Sequence, residues 1–387
     1  MNTAVPQKNI WLNMFGLKIK LKNLRYRAQF AQYLKTQIER QDSYDVLEIR
    51  QARKVVLFVL PAEEVVSGGI LSIFSLCRYT RDILPDHMVV LVTEAGNKTY
   101  SCVGWFHTNE KVYRWNQVMD NLQNTECLIA HIPEYMSATF YDKLPESSRS
   151  ILKRIPGLTI NILNQNPQIM PPPDAVQKLF DLSLKVTQTL AFREKNIQEL
   201  ANRYHMPITT VFSYLDLSKW QPVPFNQKKK LILLSPDKND YRKQVVKALR
   251  KKLPDFKLIT INKMRFEEYM TLVCQAFAVI SFGEGYDGYL LQPSIVKTLS
   301  FAVYNETFFP NIDFLELTNI YASYPEMIQN IVRDIRRQSD NPAEYYETIR
   351  ELRSLDIDHS EQQLIDILTR FYRQDYECTP ERGCGNG

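Results

Sequence analysis

The sequence contains no apolar run near the roughly 18 residues that span a bilayer. Its N-terminus has neither a compact apolar signal core nor a small-residue cleavage site, so a cytoplasmic chain is expected. None of its six cysteines forms a C-x-x-C pair, which removes the usual zinc spacing. Cys77, Cys102, Cys127 and Cys274 fall in apolar or scattered settings that suit free thiols rather than bridges. Also missing are a G-x-x-x-x-G-K-[ST] phosphate loop, a G-x-S-x-G elbow and an H-E-x-x-H pair, and with them the hydrolases built on those motifs. An excess of one charge is absent too. The 48 Lys and Arg stand against 43 Asp and Glu, and a net +5 is too mild to argue for a nucleic acid partner. Asp356-Ile357-Asp358 has the spacing of a metal-binding carboxylate pair, but its place among helices near the C-terminus makes it a helix boundary. No metal site is expected.

What is present is an ordinary globular composition, 44% hydrophobic and 24% charged. The length of 387 residues favours two domains. Residues 1–53 form a basic amphipathic preface in which Trp11 and Phe15 interleave with Lys18, Lys20, Lys22, Arg25 and Arg27. Such a stretch either packs on the first domain or rests residues 9–28 on an anionic membrane. Apolar, β-branched runs at 54–61, 88–93, 127–132, 158–163, 184–191 and 209–215 read as strands, with helices over 70–83, 135–155 and 193–204. This first domain, 54–217, ends at a Pro- and Lys-rich linker, 218–230. A second series follows over 231–312: strands at 231–234, 257–262, 277–281 and 301–304, and helices at 241–253, 266–276 and 290–299. Residues 313–376 read as helical and 377–387 as a disordered tail. Alternation of this kind predicts an α/β fold with mostly parallel sheets covered on both faces.

Open sheets of this class bind ligands beyond the carboxyl ends of their strands. The stretch FAVISFGEGYDGYLLQPS, 277–294, is the centre of interest there. Its strand opens into Ser281, Gly283, Glu284, Gly285, Tyr286, Asp287 and Gly288, and then a helix. Glycine permits positive φ and close approach of a ligand, and the helix N-terminus suits phosphate. A carboxylate repels phosphate, so Glu284 is read as accepting hydrogen bonds from sugar hydroxyls. In the first domain, Gly68 and Gly69 either present backbone N–H groups to a ligand or simply make a turn. His131 or Glu134, at the end of a strand, is a general-base candidate or a structural residue. Asn164, Gln165 and Asn166 either hold sugar hydroxyls or form a turn.

The 277–294 stretch resembles the donor-site loop of GT-B glycosyltransferases, on Ser281, Glu284, Gly285 and the helix start near Pro293. Many retaining members carry a second glutamate seven residues further on, where this chain has Leu291. The resemblance implies two Rossmann-like domains facing a cleft, with the first on the acceptor side and the last helix returning to it. It implies a nucleotide-sugar donor, no cofactor and no bound metal. Ser235 with Lys238 or Arg242 would face the donor diphosphate, and Lys263 and Arg265 the nucleobase. The implied acceptor is a saccharide or a lipid-linked one, in the building of bacterial surface polysaccharide such as capsule or O-antigen. Two alternatives share the fold: a nucleotide-sugar epimerase, and an inactive module serving as a binding or assembly subunit.

Overall fold

A computed structural model describes residues 31–32, 35–61, 68–96, 110–212, 214–262, 264–356 and 360–381. The basic stretch 9–28, Cys102, Lys263, Asp358 and residues 382–387 lie outside them. Among the described residues, twelve strands form two sheets. The first holds β1 (Lys54–Leu60), β2 (Met88–Thr93), β3 (Val112–Tyr113), β4 (Cys127–Pro133), β5 (Gly157–Asn164), β6 (Lys185–Leu190) and β7 (Ile208–Thr210), in the order β3-β2-β1-β4-β5-β6-β7. The second holds β8 (Lys229–Leu234), β9 (Lys257–Thr260), β10 (Ala276–Ile280), β11 (Leu299–Val303) and β12 (Ile320–Tyr321), in the order β12-β11-β10-β8-β9. Every strand pair is parallel.

The runs of Val, Ile and Leu explain this. Six of the seven residues of β1 and all five of β10 are buried, as strands covered by helices on both faces must be. Each sheet has a core on either side, one built on Leu57, Ile132 and Ile162 and its counterpart on Phe58, Ile73 and Leu368 in the first domain. Leu368 belongs to the helix Glu361–Tyr372. That helix therefore returns to the first sheet, where Tyr79 Oη donates to Glu361 Oε1 at 2.6 Å. Two such β/α/β units facing a cleft are the GT-B arrangement.

Several boundaries differ from the sequence reading. The helix expected over 135–155 is two helices, Glu134–Lys143 and Glu146–Arg154, because Pro145 has no N–H to continue the ladder. The stretch 313–376 is not all helix, since Ile320–Tyr321 pairs with β11. The helix after the Gly loop spans Gly288–Ile295, which places Pro293 inside it rather than in its first turn. β8 begins at Lys229, within the stretch read as linker. Residues 377–381 are held rather than loose: Cys378 exchanges backbone hydrogen bonds with Ile208, and Thr210 N–H donates to Glu377 Oε2 at 2.8 Å. Among the described residues, no helix is long and apolar enough to cross a membrane.

Candidate functional site

A cleft of about 680 Å³ separates the two sheets. Its walls are the chain ends that follow β5, β6 and β7, the loops after β10 and β11, and one face of Glu361–Tyr372. In each sheet the chain leaves two neighbouring strands in opposite directions, at β1/β4 and at β8/β10. Those are the positions where loops diverge and a crevice opens.

On the second domain the crevice lies between Ser235, at the end of β8, and the loop 281–288. The buried Ser235 Oγ accepts from Phe282 N–H at 2.9 Å and ties the two strand ends together. Gly285 has φ of +84°, and a Cβ there would lie 2.4 Å from the Val303 carbonyl oxygen, so only glycine fits. A Cβ on Gly283 would meet the Asp237 carboxylate at 2.9 Å. Gly288 is the first residue of its helix. Asp287 is that helix's N-cap: Oδ1 accepts from Tyr289 N–H at 2.8 Å and Leu290 N–H at 3.2 Å. Its Oδ2 accepts from the Ser281 hydroxyl at 2.7 Å. The helix N-terminus expected to meet a phosphate is thus occupied by the protein's own carboxylate, and Ser281 and Asp287 face each other rather than the cleft. Burial, helped by the charge of Asp237, pushes the Asp287 carboxyl up to about 7 against the pull of Ser281.

Glu284 and Tyr286 do line the cleft. Burial first and Asp237 second raise the Glu284 carboxyl above its ordinary range. Tyr286 Oη donates to Asp356 Oδ1 at 2.8 Å, with its ring against Phe309 and Phe314. Lys238 and Arg242 line a separate hollow beside the start of the helix Arg242–Lys252, together with Asp237, Asn239 and Lys243. The Arg242 guanidinium sits 5.0 Å from the Phe282 ring centroid and donates to Thr260 Oγ1 at 3.1 Å. That helix start has no side-chain cap and no acid in its first turn. Arg265 pairs with Glu268 at 2.9 Å and lines neither space.

On the first domain, Gln165 Nε2 donates to the Gly69 carbonyl at 3.0 Å. A Cβ on Gly69 would come within 2.5 Å of Gln165 Oε1, so this glycine admits the amide loop, while Gly68 is open. Asn164 is buried and donates to Gln188 Oε1 at 2.9 Å, and its own Oδ1 has no partner in the protein. Asn166 joins the two domains. Its N–H donates to Glu134 Oε1 at 3.2 Å and its Nδ2 to Glu284 Oε1 at 2.8 Å. Glu134 is 3% exposed, its Oε2 has no partner, and burial pushes its carboxyl up to about 7.

His131 is not a base in the cleft. It is 2% exposed and stacks on Phe58 at 4.4 Å. Asn161 Nδ2 lies 3.0 Å from its Nδ1 and Tyr372 Oη 3.1 Å from its Nε2. The ring is therefore neutral, accepting at Nδ1 and donating at Nε2, and burial holds it down at about 3. Its work is to dock the returning helix on the first sheet.

Four contributors escaped the sequence. Asp237 was visible only as part of Ser-Pro-Asp-Lys, and its approach to Gly283 requires β8 and β10 to be neighbours. Arg193, Asp366 and Phe308 line the cleft from three separated segments, and no local spacing connects them.

No family model matches the sequence, and no curated protein matches it. The structure is similar to a glycosyltransferase from Rickettsia africae ESF-5, at 11% identity, over 83% of this chain and 98% of that one, with a TM-score of 0.48. It is similar to UDP-GlcNAc 2-epimerase from Neisseria meningitidis bound to UDP-GlcNAc, at 9% identity, over 83% and 98% of the two chains, with a TM-score of 0.48. It is also similar to the glycosyltransferase SnogD from Streptomyces nogalater, at 10% identity, over 83% and 99%, with a TM-score of 0.42.

Proposed function

We propose that this chain is a metal-independent glycosyltransferase. It moves a sugar from a nucleotide-sugar donor on the second domain to a hydroxyl of a saccharide or lipid-linked acceptor entering from the first. Its setting in this reading is bacterial polysaccharide synthesis in the cytoplasm, at the inner face of the membrane. The observation that carries the proposal is the hydrogen bond of 2.8 Å from Asn166 to Glu284. It brings the polar strand ends of two facing parallel sheets to one point, where a donor and an acceptor would meet.

Transfer breaks the bond between the sugar's anomeric carbon and the diphosphate and makes one to the acceptor oxygen. The departing diphosphate needs positive charge, for which the hollow offers Lys238, Arg242 and Lys243 against Asp237 and Asp240, at an uncapped helix start. Glu284 would exchange Asn166 for donor hydroxyls. The acceptor proton needs a base, and a carboxyl near 7 such as Glu134 suits that task. Its burial beneath Asn166 means that the 164–166 loop must first move. His131, with both nitrogens engaged, does not supply the histidine that the epimerase alternative requires.

The test is release of free nucleoside diphosphate from a panel of nucleotide sugars, with and without acceptor saccharides. Acceptor-dependent release is expected, and Lys238→Ala should weaken nucleoside diphosphate binding more than nucleoside binding. Nucleotide binding without turnover on any acceptor would leave the inactive module or the epimerase standing, which epimerisation of the donor sugar tells apart.

A further inference from the structure

On the strength of the transferase reading, we infer that the cleft is an acceptor subsite for an uncharged sugar, gripped by the returning helix and by aromatic rings of both domains. Gln363, Asp366, Ile367 and Arg370 all line the cleft. Their spacing puts them on one face of Glu361–Tyr372. Three of the four carry polar ends for hydroxyls and the fourth is apolar. The same cleft is lined by Phe192 from the first domain and Phe308 from the second. Aromatic faces carry partial negative charge and suit the C–H face of a sugar ring, while carboxylates and amides suit its hydroxyls.

Charge narrows the choice. The wall holds five carboxylates against three cations, and one of the cations, Arg370, is bonded to Asp375 at 2.7 Å. A phosphate or carboxylate on the acceptor would enter a net negative field. Thr209 adds a polar contact: it is 5% exposed, lies on the cleft wall, and its hydroxyl has no partner in the protein. A buried hydroxyl left unpaired calls for a polar ligand atom, which a sugar hydroxyl supplies. The volume of about 680 Å³ also lies within the usual range for small-molecule sites. A neutral saccharide end, rather than the diphosphate of a lipid carrier, would therefore sit opposite Glu284.

The experiment is a ligand-observed NMR titration without any donor. The probes are cellobiose, N,N′-diacetylchitobiose and a glucuronate-containing disaccharide. At least one neutral probe should bind at millimolar concentration, and the acidic one should bind more weakly. Asp366→Asn, at an exposed position, and Phe308→Ala should each weaken the neutral probe by about three- to tenfold. Tighter binding of the acidic probe, no effect of either variant, or no neutral probe bound overturns the inference. Calorimetry with uridine and guanosine diphosphate on the same samples separates the two readings. Nucleotide bound but no sugar bound refutes the acceptor subsite alone. Sugar bound with no nucleotide bound refutes the transferase and leaves a saccharide-binding cleft.

Discussion

The helix cap beyond β10 and the chain ends beyond β4 and β5 lie at comparable places in their sheets and are finished in opposite ways. At the end of β10 both oxygens of Asp287 are taken, by two helix N–H groups and by Ser281. At the ends of β4 and β5, Glu134 Oε2 and Asn164 Oδ1 are buried without partners in the protein. A buried polar atom left unmade costs on the order of 1–3 kcal/mol. Asp287 therefore has no spare oxygen and suits a fixed loop that holds a ligand in place, while the unpartnered atoms on that side, Asp237 Oδ2 and Arg242 Nε, sit across the crevice from it. The first domain's loop keeps unsatisfied chemistry in reserve, suited to a proton or a hydroxyl that arrives with substrate.

Four substitutions bear on that contrast, the strongest first. Glu284→Gln removes a charged acceptor from the holding side and is expected to lower turnover by about tenfold to a hundredfold, with little change in melting temperature. A variant with full turnover on a measured donor would take Glu284 out of the site. Glu134→Gln should act on the reserve side as a pH effect on stability. The folded carboxyl titrates at about 7, above its usual 4.5. The folded state therefore holds the extra proton between those values, and wild-type stability falls as pH rises through that window. At pH 8 the glutamine variant should be more stable by about 2–3 kcal/mol and at pH 4.5 about equal. Denaturant titrations at the two pH values decide it, and equal differences at both would show that Glu134 is not held protonated.

His131 sits three residues earlier and runs the other way. Its folded value of about 3 lies below the usual 6.5, so the unfolded state takes up the proton first and wild-type stability falls as pH drops below 6.5. His131→Asn should flatten that loss by about 2 kcal/mol at pH 4.5 while lowering stability at pH 8. Unfolding curves that keep the wild-type slope would assign the acid loss elsewhere. The smallest effect is expected from Asp287→Asn, which preserves a cap while deleting a charge beside the donor loop. Nucleoside diphosphate should bind about threefold more tightly at pH 8. Below about pH 6 the effect should vanish, because the wild-type carboxyl, at about 7, is then protonated. Tightening at both pH values would mean that Asp287 is charged throughout.

Much of this contrast was legible in the chain, unevenly. The buried strands announce themselves because residues covered on both faces must be apolar in unbroken runs, as in β1 and β10. Gly285 was legible for the same kind of reason, since its positive φ admits little else. Asp287 escaped the rule that an Asp immediately before a helix is a cap first, because the sequence places that helix at 290 and the structure starts it at Gly288. The two-residue strands β3 and β12 are too short to show a period. The Asn166–Glu284 bond joins residues 118 positions apart, and no sequence spacing foretells a contact made across two domains. His131 reads from sequence as either a general base or a structural residue, and Tyr372, which arrives from 241 positions away to cover it, decides for the second.

The returning helix has a mechanical consequence. The polypeptide crosses from the first domain to the second before β8 and crosses back between Leu355 and Glu361. Beyond that crossing it is riveted by the His131–Tyr372 and Ile208–Cys378 bonds. Two bodies joined by a single tether can swivel freely, whereas two joined at a pair of points turn mainly about the line through them. The halves of this protein are therefore expected to move like the leaves of a hinge, with the Asn166–Glu284 bond reaching from one leaf to the other.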